Sequence, residues 1–246
     1  MYHVEKMYTY LRGFMVGAGM QQGIQALNFA RIKHQGQMRK DGEPYIVHPL
    51  QMACYAAVLG VRNDEIMAGI LLHDVCEDCG VPVELLPVNG HVKEIVKRLT
   101  IQPWSEETRV ETKERCFQEI LACKEAVIIK GLDRYHNMSS MAGVLSDEAV
   151  QKNIRENNEL LLPMLKQAKE RYPELSDILF VLRTNISSVS RSLEMMQKIE
   201  NKGECDHEKR RLCKDTTVFV GNNSGGVRKR RRGQRGRVYR ADSLPK

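Results

Sequence analysis

The sequence predicts an all-α protein that ends in a short basic tail. Apolar residues recur at intervals of three and four positions over most of residues 1–200, which is the period of helices buried on one side. No run in that region alternates apolar and polar residues as a half-buried strand does. Glycine and proline, which interrupt helices, separate the helical runs. We therefore expect one helical domain over residues 1–200 and a flexible tail over residues 201–246.

The helical pattern occurs in separate segments along the predicted domain. They are residues 20–35, 48–60, 63–77, 91–99, 106–122, 124–142, 147–170 and 174–200. The helices should end at the turn-forming residues, which are Gly42 with Pro44, Gly60, Gly80 with Pro82, Pro87 with Gly90, Pro103 and Pro173. One β-prone run, Thr216–Val220, is compatible with a strand or with no regular structure.

Charge is distributed unevenly along the chain. Of the 38 Lys and Arg residues, 14 lie in residues 201–246 together with five acidic residues, so this segment carries a net charge of +9 and residues 1–200 carry −2. Residues 228–240 hold eight basic residues and no acid, too much charge for a segment to fold alone. We expect this run either to bind RNA or another polyanion by counterion release, or to be a disordered solubilising tail.

Hydropathy and cysteine usage indicate a cytoplasmic protein. No stretch approaches the roughly 18 consecutive apolar residues of a membrane span. The N-terminus lacks the basic start and the long apolar core of a secretion signal. Seven cysteines, without disulfide-like spacing, fit reduced thiols.

The segment over residues 63–77 finishes an apolar run in ionisable side chains. His73 and Asp74 are followed one helical turn later by Glu77 and Asp78. Buried apolar helices do not end in charges that lack a partner, so an imidazole beside three carboxylates indicates a divalent cation. The alternative is a solvated helix end, and further ligands elsewhere in the chain would decide between the two.

Two other places supply such ligands. Asp133 follows the apolar run Ala126–Ile129, and His48 directly precedes Pro49. Because a residue before proline favours extended backbone, we expect His48 to be extended just before a helix. Imidazole nitrogen mixed with carboxylate oxygen suits Mn, Fe, Co or Zn better than Ca or Mg.

A loop rich in hydrogen-bond donors lies just before His48. Residues 33–45 include Arg39 and Lys40, which carry the positive charge that a polyphosphate requires beside a metal. A charged surface loop is the alternative.

Three motifs now stand in order along the chain. They are Ala-x-x-x-His-x-Gly-Gln-x-Arg-Lys-x-Gly-Glu-Pro-Tyr-Ile-x-His-Pro from Ala30 to Pro49, Leu-Leu-His-Asp-Val-x-Glu-Asp over residues 71–78, and Asp-Arg-x-His-Asn-Met over residues 133–138. Together they resemble the HD hydrolase domain of the Rel/Spo alarmone family, and above all its stand-alone small alarmone hydrolases, over roughly residues 20–185. The resemblance implies an all-α HD-domain helical bundle that uses Mn²⁺, or another divalent transition metal, to remove the 3′-pyrophosphate from ppGpp or pppGpp in the stringent response.

The resemblance also implies a role for each motif residue. The metal ligands would be His48, His73, Asp74 and Asp133. Glu77 and Asp78 would orient or deprotonate the attacking water. Residues that contact the nucleotide would be Arg39, Lys40, Tyr45, Asn137 and Ser140.

The chain departs from the family pattern at several positions. Cys76 and Cys79 give a Cys-x-x-Cys spacing, which fits a redox or zinc role or, as we expect, two unpaired thiols. Tyr135 and Ser139-Ser140 differ from the usual residues and leave the exact nucleotide open. The alternatives are a broader HD nucleotide phosphohydrolase, or a non-catalytic nucleotide sensor with an RNA-binding tail.

Overall fold

The structure is a computed structural model that describes residues 4–101 and 107–216, with side chains described up to residue 199. The described ranges form α-helices without any strand, which confirms the all-α prediction. The helices are α1 (Val4–Gly17), α2 (Gln21–Lys33), α3 (Val47–Val58), α4 (Asp64–Leu72), α5 (Val75–Cys79), α6 (Gly90–Leu99), α7 (Arg109–Leu121), α8 (Lys124–Ser139), α9 (Asp147–Glu156), α10 (Leu162–Arg171) and α11 (Ser176–Thr216). Short 3-10 turns cover Val83–Leu85 and Pro173–Leu175, and a π-helical turn, Asn157–Leu161, joins α9 to α10.

Helix α1 was not among the predicted segments. Its buried residues Leu11 and Met15 stand one turn apart and pack on α2 and α3. Gly13 and Gly17 lower the helix propensity of this stretch, so its helical signal is weak in the sequence alone. Packing against the rest of the domain, rather than intrinsic propensity, therefore stabilises this helix.

Helix α4 lies at the centre of the domain and is buried on all sides. Its residues Ile66 to Leu72 are all buried, and it packs against α2, α3, α6 and α8. Asn63 caps its N-terminus by accepting a hydrogen bond of 2.8 Å from the backbone N–H of Ile66. Gly69 allows α8 to approach closely, because a Cβ at this position would lie 2.6 Å from Cδ1 of Ile129. This close packing sets the C-terminal end of α4 beside α8.

By internal contacts the chain divides into two units, Met1–Glu200 and Asn201–Lys246. The first unit contains the hydrophobic core, to which helices from α1 to α11 contribute. The assignment of a hydrolase domain to residues 1–200 and a flexible tail to residues 201–246 stays a prediction. The basic run 228–240 and most of the β-prone run lie outside the described residues, although Thr216 itself ends α11. In the described part of the chain, no helix combines the length and the apolar character that crossing a bilayer requires.

Candidate metal centre

Three parts of the fold bring two imidazoles and two carboxylates together. His48 lies in the first turn of α3, His73 and Asp74 form the turn between α4 and α5, and Asp133 lies on α8. The Nε2 atoms of His48 and His73 are 3.2 Å apart. Oδ2 of Asp74 is 3.0 Å from Nε2 of His73 and 3.5 Å from Nε2 of His48. Oδ1 of Asp133 is 3.5 Å from Nε2 of His48 and 3.9 Å from that of His73.

His48 is helical, so the expectation of an extended backbone at this residue was wrong. Helix α3 begins at Val47, and the backbone N–H of His48 donates to the carbonyl of Tyr45 at 2.9 Å. Pro49 stands in the first turn, where a missing N–H costs no intrahelical hydrogen bond. The local preference before proline is therefore overridden by the helix start.

The predicted continuous helix over residues 63–77 is also wrong in one detail. Helix α4 ends at Leu72, and α5 begins only at Val75. Asp74 has φ −98° and ψ −8°, and its carbonyl accepts from the N–H of Asp78 at 2.8 Å. His73 and Asp74, which form this turn, therefore lie beside the other donors. Glu77 and Asp78 lie on the separate short helix α5.

The donor atoms fit a divalent transition-metal ion. His48, His73 and Asp74 each offer one ligand atom within 4.8 Å of the others. Atoms that bind one ion at about 2.1 Å lie about 3 Å from each other at right angles, which is close to the separations found here. Asp133 stands outside this tight group but faces the same two nitrogens. Imidazole nitrogen with carboxylate oxygen is the donor set of Mn, Fe, Co or Zn.

The tautomer of His73 is fixed by its backbone contact. Nδ1 of His73 lies 2.8 Å from the carbonyl oxygen of Ile70, which can only accept. Nδ1 therefore carries a proton, and in the neutral ring the Nε2 lone pair faces the other donors. Orientation of this kind is typical of histidine ligands.

Without a metal ion, the proton on His73 offsets the negative charge of the neighbouring carboxylates. Burial alone would lower the pKa of His73, but the adjacent carboxylates of Asp74 and Asp133 raise it to about 9. Burial opposes ionisation of Asp74 too, yet the positive charge on His73 lowers the pKa of Asp74 to about 2. For Asp133, burial is outweighed by the ammonium of Lys130 and the two imidazoles, which hold its pKa well below the usual range. The site therefore concentrates negative charge that a cation can neutralise.

Helix α8 supports Asp133 with two of its own side chains. Nζ of Lys130 donates to Oδ2 of Asp133 at 3.0 Å, and the amide of Asn137 donates to Oδ1 at 2.5 Å. Asn137 was predicted to contact the nucleotide, and Lys130 was not predicted at all. The sequence does show that Lys130 stands one helical turn before Asp133, on the same face of the helix, and this spacing could have identified it.

His136 is a second residue for which the sequence suggested no role. Its Nδ1 lies 2.8 Å from Nδ1 of His48, and its Nε2 lies 2.5 Å from Oε1 of Gln51. Burial and the neighbouring His48 lower the pKa of His136 to about 3, so its ring is neutral at physiological pH. His136 stands inside the third motif, but its partner is 88 positions away, so only the fold shows the contact.

Tyr45 lies against the same cluster. Its hydroxyl donates to Oδ2 of Asp74 at 2.6 Å, and its ring stacks on His34 at 4.7 Å between centroids. Burial, with the negative charges of Asp74 and Asp78, raises the pKa of the phenol. The hydroxyl is therefore a hydrogen-bond donor at any physiological pH.

Glu77 and Asp78 lie on α5 at the edge of the cluster, and both are exposed. Neither belongs to the tight group of ligand atoms. Partial desolvation and the nearby charge of Asp74 raise the pKa of Glu77. Both carboxylates are therefore accessible to solvent.

A cavity of about 550 Å³ opens beside Asp133. All five residues predicted to contact the nucleotide line it: Arg39, Lys40, Tyr45, Asn137 and Ser140. Arg39 is held in place, with its guanidinium donating to Oγ of Ser140 at 2.8 Å and to Asp41 at 3.1 Å. Lys40 is exposed. The volume is within the range of small-molecule sites.

A second cavity, of about 420 Å³, shares Arg39, Asp41 and Ser140 with the first. Tyr55 and Tyr135 line it with their rings 5.2 Å apart, and Gln51 and His136 reach it as well. Tyr135, one of the departures from the family pattern, therefore faces this second cavity.

Cys76 and Cys79 are both free thiols. Sγ of Cys79 lies 3.5 Å from the carbonyl of Lys33 and 3.5 Å from Nδ1 of His34. Burial raises the pKa of both thiols, which disfavours the reactive thiolate.

The chain is similar to known proteins over most of the region described above. A family model described as an HD domain matches residues 26–161, which is more than half of the chain and includes every site residue named above. The guanosine-3′,5′-bis(diphosphate) 3′-pyrophosphohydrolase of Haemophilus influenzae is 30% identical over 201 residues, covering 71% of this chain and 29% of that protein. The probable GTP pyrophosphokinase of Mycobacterium leprae is 32% identical over 165 residues, covering 64% of this chain and 21% of that protein. This chain thus spans less than a third of the length of these relatives.

A solved structure with a similar fold is also found. It is described as "A metazoan ortholog of SpoT hydrolyzes ppGpp and plays a role in starvation responses". It aligns with a TM-score of 0.53 and 18% sequence identity, over 72% of this chain and 96% of the other.

Proposed function

This chain belongs to the HD domain family, and we propose that it is a metal-dependent phosphohydrolase that removes the 3′-pyrophosphate from guanosine 3′,5′-bis(diphosphate) or a closely related nucleotide. The observation that carries the proposal is that Asp133, one of the four donors, lines the cavity of about 550 Å³ together with Arg39 and Lys130. Tyr45, which also lines this cavity, donates a hydrogen bond to Asp74, so we expect a phosphate in the cavity to lie beside the cluster. The name of the Haemophilus influenzae relative supports this substrate class.

We infer that His48, His73, Asp74 and Asp133 would hold the ion, with Mn²⁺ as the expected metal. When bound, a divalent ion of this kind supplies Lewis acidity, which neutralises phosphoryl charge and lowers the pKa of water. The two imidazoles and two carboxylates leave room for water and substrate, as catalytic metal sites require.

In this proposal Glu77 and Asp78 handle the attacking water. The raised pKa of Glu77 brings this carboxylate closer to the basicity that a general base requires near neutral pH. The water attacks the phosphorus that is bonded to O3′ of the ribose, the O3′–P bond breaks, and O3′ leaves as a hydroxyl. The products are the nucleoside 5′-diphosphate and pyrophosphate.

The cavity residues bind and orient the nucleotide. Arg39, Lys40 and Lys130 supply positive charge along one cavity, which suits a ligand that carries several phosphates. Tyr45 and Asn137 hold the two carboxylates of the cluster by hydrogen bonds, so they fix the cluster relative to the cavity. Phosphoryl transfer depends mostly on such positioning and charge stabilisation.

The proposal is tested with the purified chain. After removal of metal with a chelator, the protein is supplied with Mn²⁺, Mg²⁺, Co²⁺ or Zn²⁺ and incubated with ppGpp, and the products are separated by anion-exchange chromatography. We expect Mn²⁺-dependent formation of GDP and pyrophosphate in equal amounts, and loss of this activity in Asp133→Asn. Release of orthophosphate, or tight nucleotide binding without cleavage under every metal, would refute the proposal.

A further inference from the structure

The two ring nitrogens of His48 have different surroundings. Nε2 faces His73, Asp74 and Asp133, whereas Nδ1 faces away from the cluster and lies 2.8 Å from Nδ1 of His136. Two ring nitrogens at this distance form a hydrogen bond only when one of them carries a proton and the other does not. The contact therefore forces one of two arrangements of protons.

The cluster selects one of these arrangements. If Nε2 of His48 binds an ion, it must be unprotonated, and the neutral ring then carries its proton on Nδ1. Nδ1 of His48 is thus the donor, and Nδ1 of His136 is the acceptor. Because Nδ1 of His136 accepts, the proton of this ring lies on Nε2, where it donates to Oε1 of Gln51 at 2.5 Å.

His73, the other histidine of the cluster, also has a hydrogen-bond acceptor for its Nδ1, which in this case is a backbone carbonyl. Nδ1 of His73 donates to the backbone carbonyl of Ile70, which fixes the ring and its tautomer. For His48, in the first turn of α3, the acceptor is the side chain of His136 on α8. The two rings pack edge-on with their centroids 4.6 Å apart. Both imidazoles of the cluster therefore have a fixed acceptor on Nδ1.

We propose that His136 is a positioning residue that, together with Gln51, holds His48 in the tautomer and orientation that bind the metal. The inference rests on the proposed function, because it requires an ion at the cluster. The hydrogen bonds from His48 to His136 and from His136 to Gln51 also reach the second cavity, because His136 and Gln51 line the cavity of about 420 Å³.

The test measures metal binding and does not depend on turnover. Affinity for Co²⁺ is measured by competition with a chromogenic chelator at pH 8, for the wild type, His136→Phe, Gln51→Leu and Gln51→Glu. Phenylalanine keeps the ring but removes the acceptor, so we expect Co²⁺ affinity to fall by about 10- to 100-fold. Gln51→Leu should weaken binding less, and Gln51→Glu, which retains an acceptor for Nε2–H, should keep or tighten it.

A matched control and a spectroscopic measurement separate positioning from general damage. Ser139→Ala changes an exposed residue on the same helix and should leave Co²⁺ affinity unchanged. In the Zn²⁺-loaded wild type, long-range ¹H–¹⁵N spectra should show His48 protonated on Nδ1 and His136 protonated on Nε2. His136→Phe should change the Co²⁺ absorption spectrum, and circular dichroism checks that it is folded.

The outcomes distinguish this inference from the proposed function. Co²⁺ binding that His73→Ala abolishes but His136→Phe and Gln51→Leu leave unchanged would overturn the inference alone. A proton on Nδ1 of His136 in the Zn²⁺-loaded protein would do so as well. Failure of the wild type to bind Co²⁺, Mn²⁺ or Zn²⁺ would overturn both.

Discussion

Nε2 of His48 and Nε2 of His73 lie 3.2 Å apart in a buried site, although 25 positions separate these residues in the chain. Two imidazole lone pairs that face each other at this distance repel unless a proton or a cation lies between them. Helices α3 and α4 are packed so that this contact is imposed by the core beneath them. The packing energy of the domain thus preorganises a site for a positive charge.

We predict that Glu77→Gln retains metal affinity and loses most turnover. The amide has nearly the size of the carboxylate but cannot accept a proton, and general-base catalysis contributes roughly 10²- to 10⁴-fold. Turnover is measured with saturating Mn²⁺, and metal affinity is measured in parallel. Cys76→Ala on the same short helix is the control and should remain active. Full activity of Glu77→Gln would rule out its assignment as the base.

We predict that Arg39→Ala raises KM much more than it lowers kcat. Arg39 lines the cavity beside Asp133 and is braced by Ser140, so its loss removes ground-state and transition-state contacts alike. Loss of a hydrogen bond to a charged group costs about 1.5–3 kcal/mol, or roughly a 10- to 150-fold rise in KM. Lys97→Ala, which removes an exposed charge on α6, should leave KM unchanged. A fall in kcat at constant KM would instead place Arg39 at the reacting atoms.

From the sequence, the side chains that the structure brings together were easier to identify than the contacts that hold them. His73 and Asp74 end an apolar run and Asp133 follows another, and charges placed after a buried segment can be recognised in the sequence alone. His136 and Gln51 carry no such mark, because a histidine on a helix is usually solvated and its partner here is 85 positions away. Contacts of this kind depend on how helices pack, which periodicity does not specify.

Backbone detail was also harder to predict than helix existence. The apolar period placed α4 correctly, but the period continues through His73 and Asp74, where the helix is interrupted. Local rules on proline predicted extended backbone at His48, whereas the start of α3 includes it. In both cases tertiary packing decided between conformations that differ by little in local free energy.

We predict that the metal-free protein loses stability as the pH rises through about 9. The pKa of His73 is raised from 6.5 to about 9 in the folded state, so folding favours the protonated ring. This contribution is complete below pH 6.5 and is lost as the pH rises through the folded-state pKa. Thermal unfolding of chelator-treated protein should therefore show a Tm that falls by several degrees between pH 6.5 and pH 9.5.

Metal should reverse this dependence. An ion must displace the proton from His73, so its affinity rises with pH below about 9 and the gain in Tm on adding Mn²⁺ grows over the same range. His73→Asn is the control, and its metal-free Tm should lose most of this pH dependence. A metal-free Tm that rises toward pH 9 would contradict the charge balance described for the cluster.

We predict that Gly69→Ala destabilises the domain and weakens metal binding together. The new Cβ would lie 2.6 Å from Cδ1 of Ile129 and 3.3 Å from Cγ2 of Ile95, both in fully buried side chains. Overpacking of this kind costs about 1–3 kcal/mol. Because the side chain of Ile129 is fully buried and has little room to rotate, we expect α4 to move away from α8. Because His73 follows α4 and Asp133 lies on α8, such a shift separates the donors.

Gly13→Ala in α1 is the control. A Cβ at this position meets nothing within 4 Å, so the substitution should raise helix stability by about 0.5–1 kcal/mol without any change in metal affinity. Chemical unfolding gives the first quantity and Co²⁺ titration the second. A Gly69→Ala protein that is destabilised yet binds Co²⁺ as tightly as the wild type would show that the cluster tolerates movement between these two helices.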